Sequence, residues 1–217
     1  MEYLAPVDEM LFQLDHICNV TELKSYDKYK HFDKSTIKTI LDEAAKLSSK
    51  TLAPLNRLAD QTHPKKHGDE VLCPSELSIA YEQISSGGWV GMSGSQEFGG
   101  MDLPLVIASC VNEMLGSACL SLALNPLMTQ GQIEALQSHA SEEIKNRYLP
   151  QLISGRWSGT MNLTEEAAGS DVGALIASAI PKDDGSYEIS GQKIYISWGE
   201  HNLTENICHL VLTFNSV

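Results

Sequence analysis

From Phe32 to about Asp60 the apolar positions recur at helical spacing. Ile37, Ile40, Leu41, Ala44 and Leu47 share one face, and Leu52, Leu55 and Leu58 continue it after Pro54. Two helices or one kinked helix satisfy that pattern. Pro74 opens a further helix with Leu77, Ala80, Tyr81 and Ile84 as its stripe, and Gly87-Gly88 supplies a left-handed stop. A glycine-rich loop from Trp89 to Leu103 leads to Pro104, which begins a helix carrying Ile107, Ala108, Val111, Met114 and Leu115. Residues 118 to 138 read as another helix, kinked by Pro126, and a last one runs from the N-cap Ser141 to Gly155 with Glu142 and Glu143 in its first turn. Up to that point the reading is all helix.

After Gly155 the period changes from helical to alternating. Trp157, Gly159, Met161 and Leu163 point one way, Lys182 to Ser186 is a turn between two strands, and Gln192 to Trp198 reads as a further strand. Cys208, Leu210, Leu212 and Phe214 alternate close to the final residue, which leaves the expected sheet short of partners, as if cut off. The expected fold class is α+β: an all-helical domain over residues 1 to 155, then an incomplete antiparallel β-domain over 156 to 217.

Composition narrows the function classes. The chain has 217 residues, 42% of them hydrophobic and 20% charged, so it can bury a core, and no run approaches the ~20 apolar residues of a membrane span. Residues 1 to 66 balance ten Lys/Arg with ten Asp/Glu, whereas the remainder holds five against eighteen and carries the whole net charge of −13. Such a surface argues against nucleic acid or an anionic membrane as partner. The acidic start, Met1 to Met10, lacks the basic and apolar regions of a secretory signal, so the expected location is cytoplasmic. Five scattered cysteines without a C-x-x-C pair suggest neither a disulfide framework nor zinc. His63 and His67 flank Pro64, with Gly68 following; this reads as a mobile surface loop and not as a metal site. His201, in a polar loop, reads as solvated and is left out of catalysis.

Two segments could carry chemistry. Met161 to Asp171 takes a strand into a turn of small, hydroxyl and acidic residues, able to present N–H groups and hydroxyls to an anionic or heteroaromatic ligand; a capped surface turn reads equally from its residues. Gly191 to Gly199 places Tyr195 and Ser197 two apart on one strand face, an aromatic ring beside a donor; a core tyrosine with a serine at the rim fits the same pattern.

Together these segments resemble the acyl-CoA dehydrogenase family, whose middle domain carries T-E-P-x-A-G-S-D followed by G-x-K-x-[WYF]-I-[ST]. Here the marks are Thr164 to Asp171 and Gly191 to Ser197, with Glu166 where the family has proline. The glycine-rich segments Gly87 to Met92 and Glu97 to Met101 are similar too, as are Arg147 to Pro150 and Ser154-Gly155. The resemblance covers nearly the whole chain. Tyr3 to Met10 and Ser197 to His201 look like the branch typified by 3-methylmercaptopropionyl-CoA dehydrogenase.

The resemblance implies a flavoprotein using FAD to remove hydrogen from the α and β carbons of an acyl-CoA thioester, as in fatty acid metabolism. Electrons would pass to an electron-transfer flavoprotein, and the complete enzyme would be a homo-oligomer. It implies that Met161, Leu163 and Thr164 line the flavin and that Gly169 and Ser170 approach its pyrophosphate or the thioester ligand. Tyr195 would pack on the ring system, and Ser197 would hydrogen-bond near N5. The family's proton-abstracting carboxylate lies in a C-terminal helical domain, so no catalytic residue is expected here. A catalytically inactive remnant or interaction module that keeps the fold is the alternative.

Overall fold

A computed structural model describes residues 3–215. The helical layer comprises α1 (Val7–His16), α2 (Lys34–Leu47), α3 (Asn56–Gln61), α4 (Ser75–Ser86), α5 (Leu105–His139) and α6 (Glu142–Ile153). Asp33 caps α2 by accepting from the Thr36 N–H at 2.7 Å. That bond, followed by one from the Ser35 hydroxyl, holds its carboxyl at about 2. Between α2 and α3 the chain passes through a π turn, Ser48–Leu52, and a 3-10 turn, Ala53–Leu55, so Pro54 joins two helices without ending the apolar stripe. The residues expected on these faces are the core: Leu41, Leu52, Ile84, Ile107, Met114 and Leu122 are fully buried. Each such side chain contributes roughly 1.5–3 kcal/mol by leaving water.

Residues 105 to 139 are two helices joined end to end across a kink at Cys119 (φ −156°, ψ 86°), close to where the helix expected from Pro104 gives way to the one expected from residue 118. The kink expected at Pro126 is absent, since Cys119 is the one non-helical residue of the element. Among the described residues α5 is long and apolar enough to cross a membrane by length and composition alone, with a window of mean hydropathy 1.6. No unbroken apolar run announces this, because Asn112, Glu113 and several serines interrupt it. Its inner face, Ile107 to Leu122, is buried in the helical core.

One helix lies outside the elements read from sequence, and one expectation in the first half is corrected. Val7–His16 is a helix, burying Met10 and Leu14. The segment read as a mobile loop is a hairpin, β1 (Lys65–His67) and β2 (Glu70–Leu72), with Lys65 opposite Leu72 and His67 opposite Glu70. Gly68 makes it possible by taking φ +64° in the two-residue turn.

The β region follows α6 as expected, but its pairing is mixed. Strand β3 (Trp157–Asn162) pairs in parallel with β6 (Asn206–Val211), while β4 (Ser178–Pro181) pairs antiparallel with β5 (Tyr187–Ser190) and parallel with β7 (Phe214–Asn215). The antiparallel hairpin is the one the Lys182–Ser186 turn predicted. A second apolar cluster, Ile133, Leu149, Leu152 and Ile153 with Trp157 and Cys208 against it, seats β3 and β6 on α5 and α6.

The strand expected over Gln192 to Trp198 is absent. Gly191 runs at φ +143°, and Tyr195 and Trp198 are left-handed at +59° and +55°, which destroys the pleat. A Cβ on Gly191 would lie 2.6 Å from that of Ala177, so only glycine fits there. Two hydrogen bonds define the segment's path. The Ile194 N–H donates to the Thr164 carbonyl, and the Trp198 indole reaches back to the Ser121 carbonyl in α5 at 2.9 Å.

Candidate functional site

The first motif leaves β3 at Asn162. Its turn closes on reciprocal bonds, Glu165 N–H to the Ala168 carbonyl at 3.0 Å and Ala168 N–H to the Glu165 carbonyl at 3.2 Å. Neither Glu166 nor Ala167 takes a positive φ, so the turn forms with glutamate in place of the family's proline. Met161, Leu163 and Thr164 are half-buried, and Gly169 and Ser170 are exposed. The Thr164 methyl lies 4.0 Å from where a Cβ on Gly169 would stand, which places these two residues side by side.

Below the turn sits a buried ion pair. Lys193 Nζ is 2.7 Å from Glu165 Oε1, with the two side chains 8% and 5% exposed. The ammonium also donates to the Leu163 carbonyl at 2.9 Å, and the carboxylate accepts from the Ile176 N–H at 2.7 Å and the Ala177 N–H at 3.0 Å. Lys193 above all, then the Ile176 N–H, holds the Glu165 carboxyl below the usual carboxylate range. These bonds tie the two motifs and the approach to β4 into one unit.

The second motif carries Ser197 to the wall of a cleft of about 460 Å³, which it shares with Pro64, Cys73, Ser121, Leu124, Trp198 and Glu200. The β1–β2 hairpin thus borders the cleft, and the Asn202 side chain holds it there by accepting from the Cys73 N–H at 2.9 Å. None of the first-motif residues lines this cleft. Tyr195 is 90% exposed and packs on nothing, against the strand-face partnership with Ser197 that the spacing predicted.

Behind the cleft lies His201, 4% exposed and so buried where a solvated loop was expected. Its Nδ1 accepts from the Leu203 N–H at 3.1 Å, which puts the ring proton on Nε2. From there the proton goes to Ser158 Oγ at 2.9 Å. Asn125 Nδ2 stands 3.2 Å from the same nitrogen while its Oδ1 has no partner; turning the amide over gives Nε2–H a second acceptor, the orientation this tautomer requires. Burial pushes the imidazole down to about 4, so it is neutral and structural at pH 7. The ring of Trp198 caps it edge-on at 5.3 Å.

Several polar groups of the two motifs are open. Among the described residues the hydroxyls of Thr164, Ser170, Tyr195 and Ser197 make no hydrogen bond within the chain, and neither do the N–H groups of Gly169 and Ser170. A turn with free N–H groups and hydroxyls, flanked by the apolar Met161 and Leu163, matches a ligand with a flat ring system and a phosphate-bearing chain. Glu165 and Lys193 were not singled out from sequence, whereas His201 was weighed and read as solvated. The first two stand inside the motifs, and that position was their signal.

Comparison with known proteins bears on the family and the fold. The family described as acyl-CoA dehydrogenase, N-terminal domain, matches residues 34–156. The chain is 40% identical over 212 residues to 3-methylmercaptopropionyl-CoA dehydrogenase of Ruegeria pomeroyi, covering 98% of this chain and 36% of that protein. It is 36% identical over 215 residues to a butyryl-CoA dehydrogenase of Syntrophomonas wolfei, covering 97% and 35%. It spans little more than a third of either relative's length. The solved acyl-CoA dehydrogenase of Bacillus anthracis complexed with FAD shares the fold, at a TM-score of 0.64 and 22% identity over 77% of this chain and 27% of that one.

Proposed function

This chain belongs to the acyl-CoA dehydrogenase family, and from that premise we propose that it forms the N-terminal, flavin-facing part of an FAD-dependent acyl-CoA dehydrogenase acting in the cytoplasm. The observation that carries the reading is the turn at Thr164 to Ser170, where two hydroxyls and two N–H groups stand without partners beside apolar Met161 and Leu163.

The donor set fits FAD. Gly169 and Ser170 would give their N–H groups to phosphate oxygens, and the absence of a side chain on Gly169 lets the backbone come close. Thr164 would donate its hydroxyl to the ring edge, with Met161 and Leu163 as the apolar floor. Ser197 would present its hydroxyl from the cleft wall, and Tyr195, free of other contacts, would close over the ring system. When bound, FAD supplies the redox chemistry, taking up the hydrogen that leaves the acyl chain. The protein's own part is to orient the thioester and exclude water. An acyl-CoA is the proposed substrate, an electron-transfer flavoprotein the proposed acceptor, and a homo-oligomer the proposed state of the assembled enzyme.

The test is the visible spectrum of the purified chain after incubation with FAD and removal of unbound cofactor. Retained and shifted flavin absorbance is the expected result. A chain shown to be folded by circular dichroism that retains no flavin would overturn the reading.

A further inference from the structure

The Lys193 ammonium makes two bonds, and they bracket one residue. It donates to the carbonyl of Leu163 and to the carboxylate of Glu165, so Thr164 is held on both sides by the same charge. The next residue along the second motif, Ile194, adds a third tie through its N–H to the Thr164 carbonyl at 3.0 Å. The Thr164 hydroxyl itself remains free, and Gly169 lies against its methyl group. The carbonyls of Leu163 and Thr164 are therefore committed while the Thr164 side chain is left for a ligand.

The opposite side of the pair is equally occupied. Glu165 spends one oxygen on Lys193 and the Ala177 N–H and the other on the Ile176 N–H, which fixes the end of the excursion that begins at Gly169. A pair that served only to stabilise the fold could sit anywhere in the core, and apolar residues of similar volume often do as well. This one joins the two segments that carry the free hydroxyls, and both of its members belong to the motifs.

We propose that Glu165 and Lys193 are positioning residues for the flavin site: their buried pair sets the distance and angle between the Thr164 turn and the Tyr195–Ser197 segment, and flavin affinity depends on it beyond what fold stability explains. The proposal rests on the flavin reading above. Both side chains are spent within the protein, so neither would touch the cofactor, and each would act through Thr164 or through the backbone leading to Ser197.

The experiment measures FAD affinity and melting temperature for the unaltered chain and for Lys193→Met, Lys193→Arg and Glu165→Gln/Lys193→Met. Lys193→Met leaves a buried carboxylate without its counter-charge, so both stability and affinity should fall, the latter ~10-fold or more. Arginine keeps the charge and should bind FAD within ~3-fold of the unaltered chain. The double variant separates the two roles. It buries a neutral amide whose single oxygen keeps one of the bonds from the Ile176 and Ala177 N–H groups, and it leaves no uncompensated charge, so it should melt above Lys193→Met; yet the Leu163 carbonyl stays unanchored, and flavin affinity should remain weak. Should Lys193→Met not fold, the contrast between arginine and the double variant decides alone. Affinity that rises and falls with stability across the set, or is unchanged in Lys193→Met, overturns the proposal while leaving the flavin reading in place. A folded, unaltered chain that retains no FAD overturns both.

Discussion

The helical layer and the segments after residue 155 are held together by different forces. Between α1 and α6 the buried side chains are apolar, apart from neutral Ser48, Asn125, Thr129 and Gln132. The buried carboxylate and the buried imidazole, Glu165 and His201, both lie in the second region, each with hydrogen bonds from segments distant in sequence among its partners. Apolar packing is tolerant of detail and indifferent to pH. Polar networks are neither, and they place backbone and side chains in one geometry. The division of labour suits a protein whose helices form a platform and whose loops form a site.

The contrast breaks most visibly in the core. Leu122→Ala removes a fully buried side chain from α5 and should cost ~2–5 kcal/mol in urea unfolding. The loss should be the same at pH 5 and pH 8, because the side chain removed carries no titrating group and its loss is one of apolar packing. A loss that depends on pH would mean that the layer is not the apolar platform described.

In the second region pH itself is the probe. His201 is neutral when folded, with its pKa at about 4, while the unfolded chain titrates near the ordinary 6.5. Between those values the unfolded state takes up a proton that the folded state refuses, so stability is full above about 6.5 and falls as pH drops toward 4. The slope should approach ~1.4 kcal/mol per pH unit in the middle of that window. Glu165 acts lower down: its pKa is depressed from 4.5, so its contribution is lost only below that value, and pH 5 to 6.5 isolates the histidine. His201→Gln should flatten the curve there; an unchanged curve would assign the slope to other groups.

The same division explains what could be read from sequence. Ile37, Leu41, Ala44, Leu77, Ile84, Ile107 and Val111 announced the helices because burial on one face of a helix imposes a period, and all seven are buried. The motif turn and the Lys182–Ser186 hairpin were legible because turns demand particular residues. Gln192 to Trp198 was misread because its alternation imitates a strand, whereas its path is set by left-handed Tyr195 and Trp198 and by contacts to residues 28 to 77 positions away. His201 was misread for a related reason: its neighbours in sequence are polar, but Asn125 and Ser158, which enclose it, are 76 and 43 residues distant. Local pattern cannot report a burial that tertiary structure creates.

Smaller changes sharpen the comparison. Glu166 is exposed, its N–H makes no hydrogen bond among the described residues, and it occupies the first central position of a turn with negative φ. Proline suits that position and restricts the unfolded chain, so Glu166→Pro should stabilise by ~0.4–1 kcal/mol in thermal unfolding. It also removes one negative charge next to the proposed phosphate contacts, so flavin affinity should rise, more at low salt than at high. A destabilised variant would show that the turn needs the flexibility of glutamate.

The smallest change in stability should accompany a large change in binding. Gly169 has no positive φ, and a Cβ there would meet only the Thr164 methyl at 4.0 Å, an ordinary contact. The fold therefore makes no demand for glycine, and Gly169→Ala should alter stability by less than ~0.5 kcal/mol. The open space matters only if something else approaches the backbone. A bound pyrophosphate is such a group, and an added methyl would stand between it and the Gly169 and Ser170 N–H groups. Flavin retention should drop sharply while the melting temperature stays put. Equal retention by Gly169→Ala and the unaltered chain would place the phosphates elsewhere and leave the glycine without a role that the fold or the cofactor explains.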